Sequence, residues 1–525
     1  MRILRWTSLV VVAALASSAI SCDNNTLTSL NTDPNRATDA PAGPVFTAAA
    51  RTVFSNWLSG LTSFPVLVQH LSEFQYPTHD LYSQGFTAGD MSEYNGSLIN
   101  LQQVISKGKA LNAPGIFVPA QVLEVIDFHQ MSDQVGDIPY SEALNGVGGV
   151  LTPVYETQQS IYMSFFTILT KASADLAAAP AAAPGLGTAD IVYGGNLGKW
   201  EKFANSLHLR LALRVVNVDP VTADKEIRAA LAAPGGLILT NADNAILRWP
   251  GDNVYNNPWA NTSKSRDDVR MARLLVDFLK SNSDPRLQIY AMPLFVPGTT
   301  TYSNQYAGKP PGQEPGAAAL WGNTSSRFGA VFYPGATTAV TAGGKGLSMP
   351  SFMLTAAETN FSLAEAAERG LGGLTPAQAA GYYTAALTQS VQQWSAEVTT
   401  QALPASLPNA TPVTAAQITT FLAQPGVVYQ GGLAGLKQIA TQKWAALYTD
   451  GLTAWAEWRR TCQPAGLIPG PDAVPQYVPR RFPYPSSEAS LNGTNLAAAI
   501  ARQGADNYAT RIWWDSKPSA APTCN

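Results

Sequence analysis

Charge is the scarcest property of this sequence. Asp, Glu, Lys and Arg make up 13% of its 525 residues, about half the usual globular share, with 33 basic against 36 acidic side chains and four histidines. With 46% hydrophobic residues, a solvated chain kept disordered by its charge is excluded. There is no basic run beyond Arg459-Arg460 and Arg480-Arg481, so no nucleic acid is expected as a partner. Long apolar runs are missing too: none reaches the roughly 20 residues that a transmembrane helix needs. Catalytic signatures are equally absent. No H-E-x-x-H, G-x-S-x-G or G-x-x-x-x-G-K-[ST] occurs, nor a G-x-G-x-x-G opening a helix after a strand. Two of the histidines fall in His70-Leu-Ser-Glu73-Phe-Gln-Tyr-Pro-Thr-His79-Asp80. As metal ligands, His70, Glu73, His79 and Asp80 would straddle Pro77 at a spacing that fits no established site, so neither metal nor cofactor is expected. The chain reads as a non-enzyme. Scattered Asp and Glu keep a secreted or surface glycan hydrolase as the alternative, and a structural adhesin as a third reading.

Cysteine is nearly absent, and each of the three has a place. Met1 to Ser21 carries a short basic start (Arg2, Arg5), an apolar stretch from Leu9 to Ala16, and then small residues. That is an export signal. Cys22 directly follows Ala19-Ile20-Ser21, which resembles the lipobox at which bacterial lipoproteins are cleaved and acylated. Cys22 would then be the lipidated first residue, its acyl chains anchoring the protein at about 0.8 kcal/mol per buried CH₂ without a spanning helix. Residues 22–35 read as a tether and 36–525 as one domain. Cys462 and Cys524, in an exported chain, either form a disulfide that fixes the C-terminal tail or remain two thiols.

What is present in quantity is helical pattern interrupted by Gly and Pro, 42 and 37 residues respectively. Thr152-Pro153 reads as a helix start ahead of Tyr155, Ile161, Tyr162, Phe165, Phe166 and Leu169. From Asn196, one helical face carries Trp200, Phe203, Leu207, Leu211 and Val215, with Arg210 and Arg214 on a flank. Ser351 to Arg369 reads as a helix ended at Gly370; Thr375-Pro376 opens another through Tyr383, Leu387, Val391 and Trp394. Leu433 to Tyr448 and Leu452 to Arg460 make a further pair. The expected fold is all-α, with tetratricopeptide-like helical hairpins, long loops and a few short strands, although the full 34-residue repeat signature is absent.

Several segments, in order, carry a resemblance. They are Asn31-Thr32-Asp33-Pro34-Asn35; Asp133-Gln134-Val135-Gly136-Asp137-Ile138-Pro139-Tyr140-Ser141-Glu142-Ala143; Trp200 to Arg214; Glu358 to Gly370 with Leu363-Ala364-Glu365-Ala366; Gln442-Lys443-Trp444; Arg459-Arg460-Thr461; Arg480 to Pro485; and Trp513-Trp514-Asp515. Together they resemble the SusD/RagB family of outer-membrane nutrient-binding lipoproteins. The resemblance implies a lipid-anchored protein at the cell surface of the outer membrane. Such a protein captures an oligosaccharide or a peptide and delivers it to a SusC-like TonB-dependent transporter.

No ligand residue transfers by motif. A sugar offers a flat apolar face edged by hydroxyls, so its site needs exposed aromatic rings with polar neighbours. Aromatics on the helical faces (Trp200, Phe361, Tyr383, Trp394, Trp444) read as core. Those in loops, out of helical period, are the candidates: Tyr76, Tyr94, Trp259 and Trp321 as platforms, with Asn95 and Asn323 as hydrogen-bonding partners. The loop Tyr255-Asn256-Asn257-Pro258-Trp259 has the same character.

Overall fold

A computed structural model of the chain describes residues 40–58, 63–83, 91–180, 183–264, 266–299, 301–333, 345–403, 407–408, 411–515 and 524. The signal segment 1–21, the tether with Cys22, and Asn31 to Asn35 lie outside the described residues.

The longer helices are α1 (Ala42–Leu58), α2 (Ile99–Ala110), α3 (Pro114–Val135), α4 (Gln158–Ala177), α5 (Leu197–Arg214), α6 (Pro220–Ala232), α7 (Arg273–Ser281), α8 (Ala356–Glu368), α9 (Pro376–Gln401), α10 (Gly432–Ala446), α11 (Gly451–Thr461) and α12 (Gly493–Gln503). Neighbours pack as hairpins, α2 on α3, α5 on α6, α8 on α9 and α10 on α11, so the fold is all-α and tetratricopeptide-like. Local chemistry sets the helix starts. The Asn196 side chain accepts from the Lys199 amide and Asp450 from that of Thr453, while Thr375 and Gln378 form a capping box ahead of Pro376. No described helix is long and apolar enough to cross a membrane.

Two boundaries differ from the sequence expectation. Helix α4 starts at Gln158, because Thr157 rather than Thr152 caps it by accepting from the Ser160 amide. Residues 351–354, expected to be helical, belong to a strand. That run, Pro-Ser-Phe-Met-Leu, is buried at every position, and the Thr355 side chain caps the helix only afterwards, accepting from the Glu358 amide. The strands β1 (Leu71–Glu73), β2 (Ile138–Pro139), β3 (Tyr155–Glu156), β4 (Ala245–Arg248), β5 (Val269–Met271) and β6 (Pro350–Leu354) form three antiparallel ribbons, β1 with β5, β2 with β3 and β4 with β6.

One hydrophobic cluster runs from Phe46 to Trp514 and includes Trp200, Phe361, Tyr383, Trp394 and Trp444, as their helical spacing predicts. Through it passes a buried ionic hub. Arg210 and Arg214, expected on a flank, are fully buried instead. Burial is affordable only because each is paired: Arg210 donates to both carboxylate oxygens of Glu358 (2.7 and 2.5 Å). Arg214 lies 3.5 Å from Asp133 and 3.2 Å from Glu457. Asp133 also accepts from the Tyr162 hydroxyl (2.5 Å) and the Trp514 indole (2.8 Å), and sits 3.0 Å from His129. Glu457 faces Arg460 (2.6 Å) and Lys443 (3.3 Å), and Arg460 clamps Glu365 through two bonds of 2.5 and 2.6 Å. Burial works to raise the Glu365 carboxyl, but Arg460 and Arg369 outweigh it and pull it down to about 2. Next to the hub, Arg480 pairs with Asp515, and Cys462 is disulfide-bonded to Cys524 with their Cα atoms 5.3 Å apart.

Candidate ligand site

The β1–β5 ribbon supports the loops that carry three of the six sequence candidates, Tyr76, Trp321 and Asn323. Beyond the register pair Glu73 and Val269, the Phe74 amide still donates to the Asp268 carbonyl (2.9 Å), and the chain then turns out. Tyr76 stands at this turn in the left-handed region (φ 51°), 69% exposed. The turn is locked from inside. Glu73 accepts from the His79 amide (2.9 Å) and meets the His79 ring (2.8 Å), while Asp80 accepts from the Ser72 hydroxyl (2.6 Å) and from Lys309 (3.1 Å). Burial pushes the Asp80 carboxyl up to about 6 in spite of Lys309 and Ser72.

The second loop arrives on top of Phe74. A Cβ on Gly322 would lie 2.6 Å from the Phe74 ring, so glycine is what permits this approach, and Arg270 ties it down by donating to the Gly322 carbonyl (2.7 Å). Arg270 itself is buried over the opposite partner of that contact, its guanidinium 4.1 Å from the Phe74 ring centre. Gly322 sets its neighbours: Trp321 is half-buried and Asn323 exposed. The structure therefore sets Trp321 and Asn323 on either side of a glycine packed on Phe74, two residues before Tyr76. Arginines decorate both rings, Arg266 at 4.9 Å from the Tyr76 centre and Arg273 at 5.2 Å from that of Trp321.

Trp259 is corrected from ligand platform to core. Its ring is fully buried, edge-on to Tyr448 at 5.5 Å and tilted against Phe332 at 5.9 Å. A loop proline and three asparagines disguised a short helix, Pro258–Thr262, capped by the Asn257 side chain, which turns Trp259 inward. Trp259 thereby anchors the segment whose two flanks carry the exposed Tyr255 and Arg266. Tyr255 stacks under Arg51 of α1 at 3.7 Å. Tyr94 and Asn95 open a π-helical turn, Tyr94–Leu98, that also meets α1, where Gly96 approaches Thr52. Asn95 is exposed, whereas Tyr94 is half-buried, packs edge-on to Phe128 and donates its hydroxyl to the Pro139 carbonyl (2.5 Å). Sequence reasoning missed Phe74 and the arginines, which are recognisable only once β1 and β5 are paired. Of the metal candidates, the ring of buried His70 meets the Trp444 carbonyl at 3.0 Å, and Asp80 turns to Lys309. Among the described residues no group of three His, Cys, Asp or Glu is placed to hold a metal ion.

A family profile described as "Starch-binding associating with outer membrane" matches residues 34–485. The chain belongs to the SusD-like family. Its solved relatives include a chitin-binding protein at 26% identity and TM-score 0.72, with 90% of this chain and 100% of that one covered. A SusD homolog from Bacteroides uniformis is also 26% identical, at TM-score 0.71 over 91% of this chain and 100% of its own. A chitin-binding SusD homolog from Flavobacterium johnsoniae shares the fold at 24% identity and TM-score 0.67, over 91% and 98%. No curated protein sequence matches this one. Most of the segments that carry the SusD-like resemblance supply charges to the ionic hub and the ion pair beside it, Asp133, Arg210, Arg214, Glu358, Glu365, Lys443, Arg460, Arg480 and Asp515, whereas Glu457 at its centre lies outside them. They mark the fold and say nothing about the ligand.

Proposed function

We propose that this SusD-like protein binds an oligosaccharide at the cell surface and delivers it to a SusC-like TonB-dependent transporter, held at the outer membrane by lipid on Cys22. The family description and the 26% identical chitin-binding relative support a glycan over a peptide. The reading is supported by the rings that stand on the loops beside the β1–β5 ribbon, exposed Tyr76 just beyond β1 and half-buried Trp321 next to Gly322, which packs on Phe74. Such a surface offers ring faces to a sugar and an amide to its hydroxyls, and no catalytic role is assigned to it. A continuous core from Phe46 to Trp514 supports reading residues 36–525 as one unit.

Trp321→Ala and Tyr76→Ala should each weaken glycan binding by about 1 to 3 kcal/mol, the range seen when stacking platforms are lost, with little change in Tm. Calorimetry against chitin- and malto-oligosaccharides measures this. Unchanged affinity in both variants would remove the site. Co-purification with a transporter barrel after mild detergent extraction tests the partnership, and recovery alone in every detergent would refute it.

A further inference from the structure

Among the described residues almost every arginine ends on a carboxylate. Arg51 and Arg273 do not: Arg273 lies over Trp321, and Arg51 over Tyr255 at one end of the segment whose other end carries Arg266. Arg273 is exposed and is the first residue of α7, where the helix dipole disfavours a positive charge. Its side chain lies instead over the Trp321 ring at 5.2 Å. Arg51 is stacked on Tyr255 at 3.7 Å beside Asp252, whose Oδ1 accepts from the amides of Val254 (3.0 Å) and Tyr255 (2.8 Å) and whose carboxyl Arg51 helps to hold down without an ion pair between them. By contrast Arg266, over Tyr76, is ion-paired with Asp268. A guanidinium stacked on a ring has its N–H donors directed sideways from its edge, already oriented, so little rotamer entropy is lost when a planar anion docks there. A positive charge at a helix start is disfavoured by the dipole, and a carboxylate or sulfate accepts two parallel N–H bonds from such a fork, which a single sugar hydroxyl does not.

We propose that the ligand is an anionic oligosaccharide, its carboxylate or sulfate groups read by Arg273 and Arg51 while Trp321 and Tyr76 take the ring faces. This deepens the glycan reading and rests on it. An acidic sugar residue would lay its apolar face against a ring and set its acid group on the guanidinium edge beside it.

Calorimetry on the full chain with oligogalacturonate, sulfated chondroitin oligosaccharides, and neutral chitin- and malto-oligosaccharides separates the outcomes. An acidic ligand should bind at least tenfold more tightly than the neutral ones and weaken as salt rises; the preferred acidic probe tells carboxylate from sulfate. Arg273→Gln should weaken it about tenfold, Arg51→Gln similarly, and Arg273→Lys should recover only a minor part, because a point charge lacks the planar fork. All three keep the core intact, and Tm reports this. Binding of neutral glycans alone, or affinities unmoved by the arginine variants and by salt, overturns the anionic ligand and leaves glycan binding standing. Binding to none of the four overturns both.

Discussion

Asp80 shows at a single residue how the Tyr76 turn is tuned. Burial raises its carboxyl from the usual 3.8 to about 6, so between those values the native state holds a proton that the unfolded chain releases. Its contribution to stability is therefore fully present below about pH 4 and is lost as pH rises through 6. The shift corresponds to at most about 3 kcal/mol. Asp80→Asn should flatten that part of the denaturation profile, measured between pH 4 and 7. Equal slopes in both proteins would contradict it. Glu365 has the opposite sign but a separate window, its contribution being lost only as pH falls toward 2. That Tyr76 and Trp321 lie outside the core was legible in the sequence, because they stand outside helical period among polar neighbours. Trp259 was not, because a five-residue helix is too short to show a period, and its inward face depends on Tyr448 and Phe332, both far away in sequence.

At the scale of elements, the hub explains why so much hairpin structure could be read from the chain while its chemistry could not. Caps such as Asn196, Thr375 and Asp450 are local signals, and the apolar faces of α5 and α9 follow a period of 3.6. Arg214, by contrast, sits where an exposed flank residue would, and only the arrival of α3 and α11 with Asp133 and Glu457 makes its burial tolerable. Glu457→Gln should cost about 3 to 5 kcal/mol, the penalty for leaving Arg460, Arg214 and Lys443 buried with a neutralising partner removed. Urea unfolding at unchanged m-value measures this, and a loss under about 1 kcal/mol would mean that water reaches the hub. Ligand affinity per folded molecule should stay the same, since none of these residues lines the candidate site.

For the whole molecule, the proposed lipid on Cys22 would hold one end at the membrane, while the Cys462–Cys524 bridge ties down the other. Cys22→Ala should release the protein from the membrane fraction into a soluble one, and unchanged fractionation would refute the lipid anchor. The Cys462–Cys524 bridge closes a loop of 62 residues, and loop-closure entropy of that length is worth about 4 kcal/mol. Cys462→Ser should lower the unfolding midpoint accordingly in oxidising buffer, and added reductant should bring the wild type to the same value. A variant as stable as the oxidised wild type would show that the tail needs no covalent tie.

The hub also governs when this protein can finish folding. Asp133 receives its Trp514 bond, and Arg480 its Asp515 partner, from the last dozen residues of the chain. A polypeptide emerges N-terminus first, at about 5 to 20 residues per second. The α2–α3 hairpin is thus made before α5 brings Arg214 to Asp133, and well before α11 brings Glu457 to Arg214. A chain cut short before Trp513 leaves Asp133 without its indole bond and Arg480 without its carboxylate, and should be more protease-sensitive than the full chain, its early helices included.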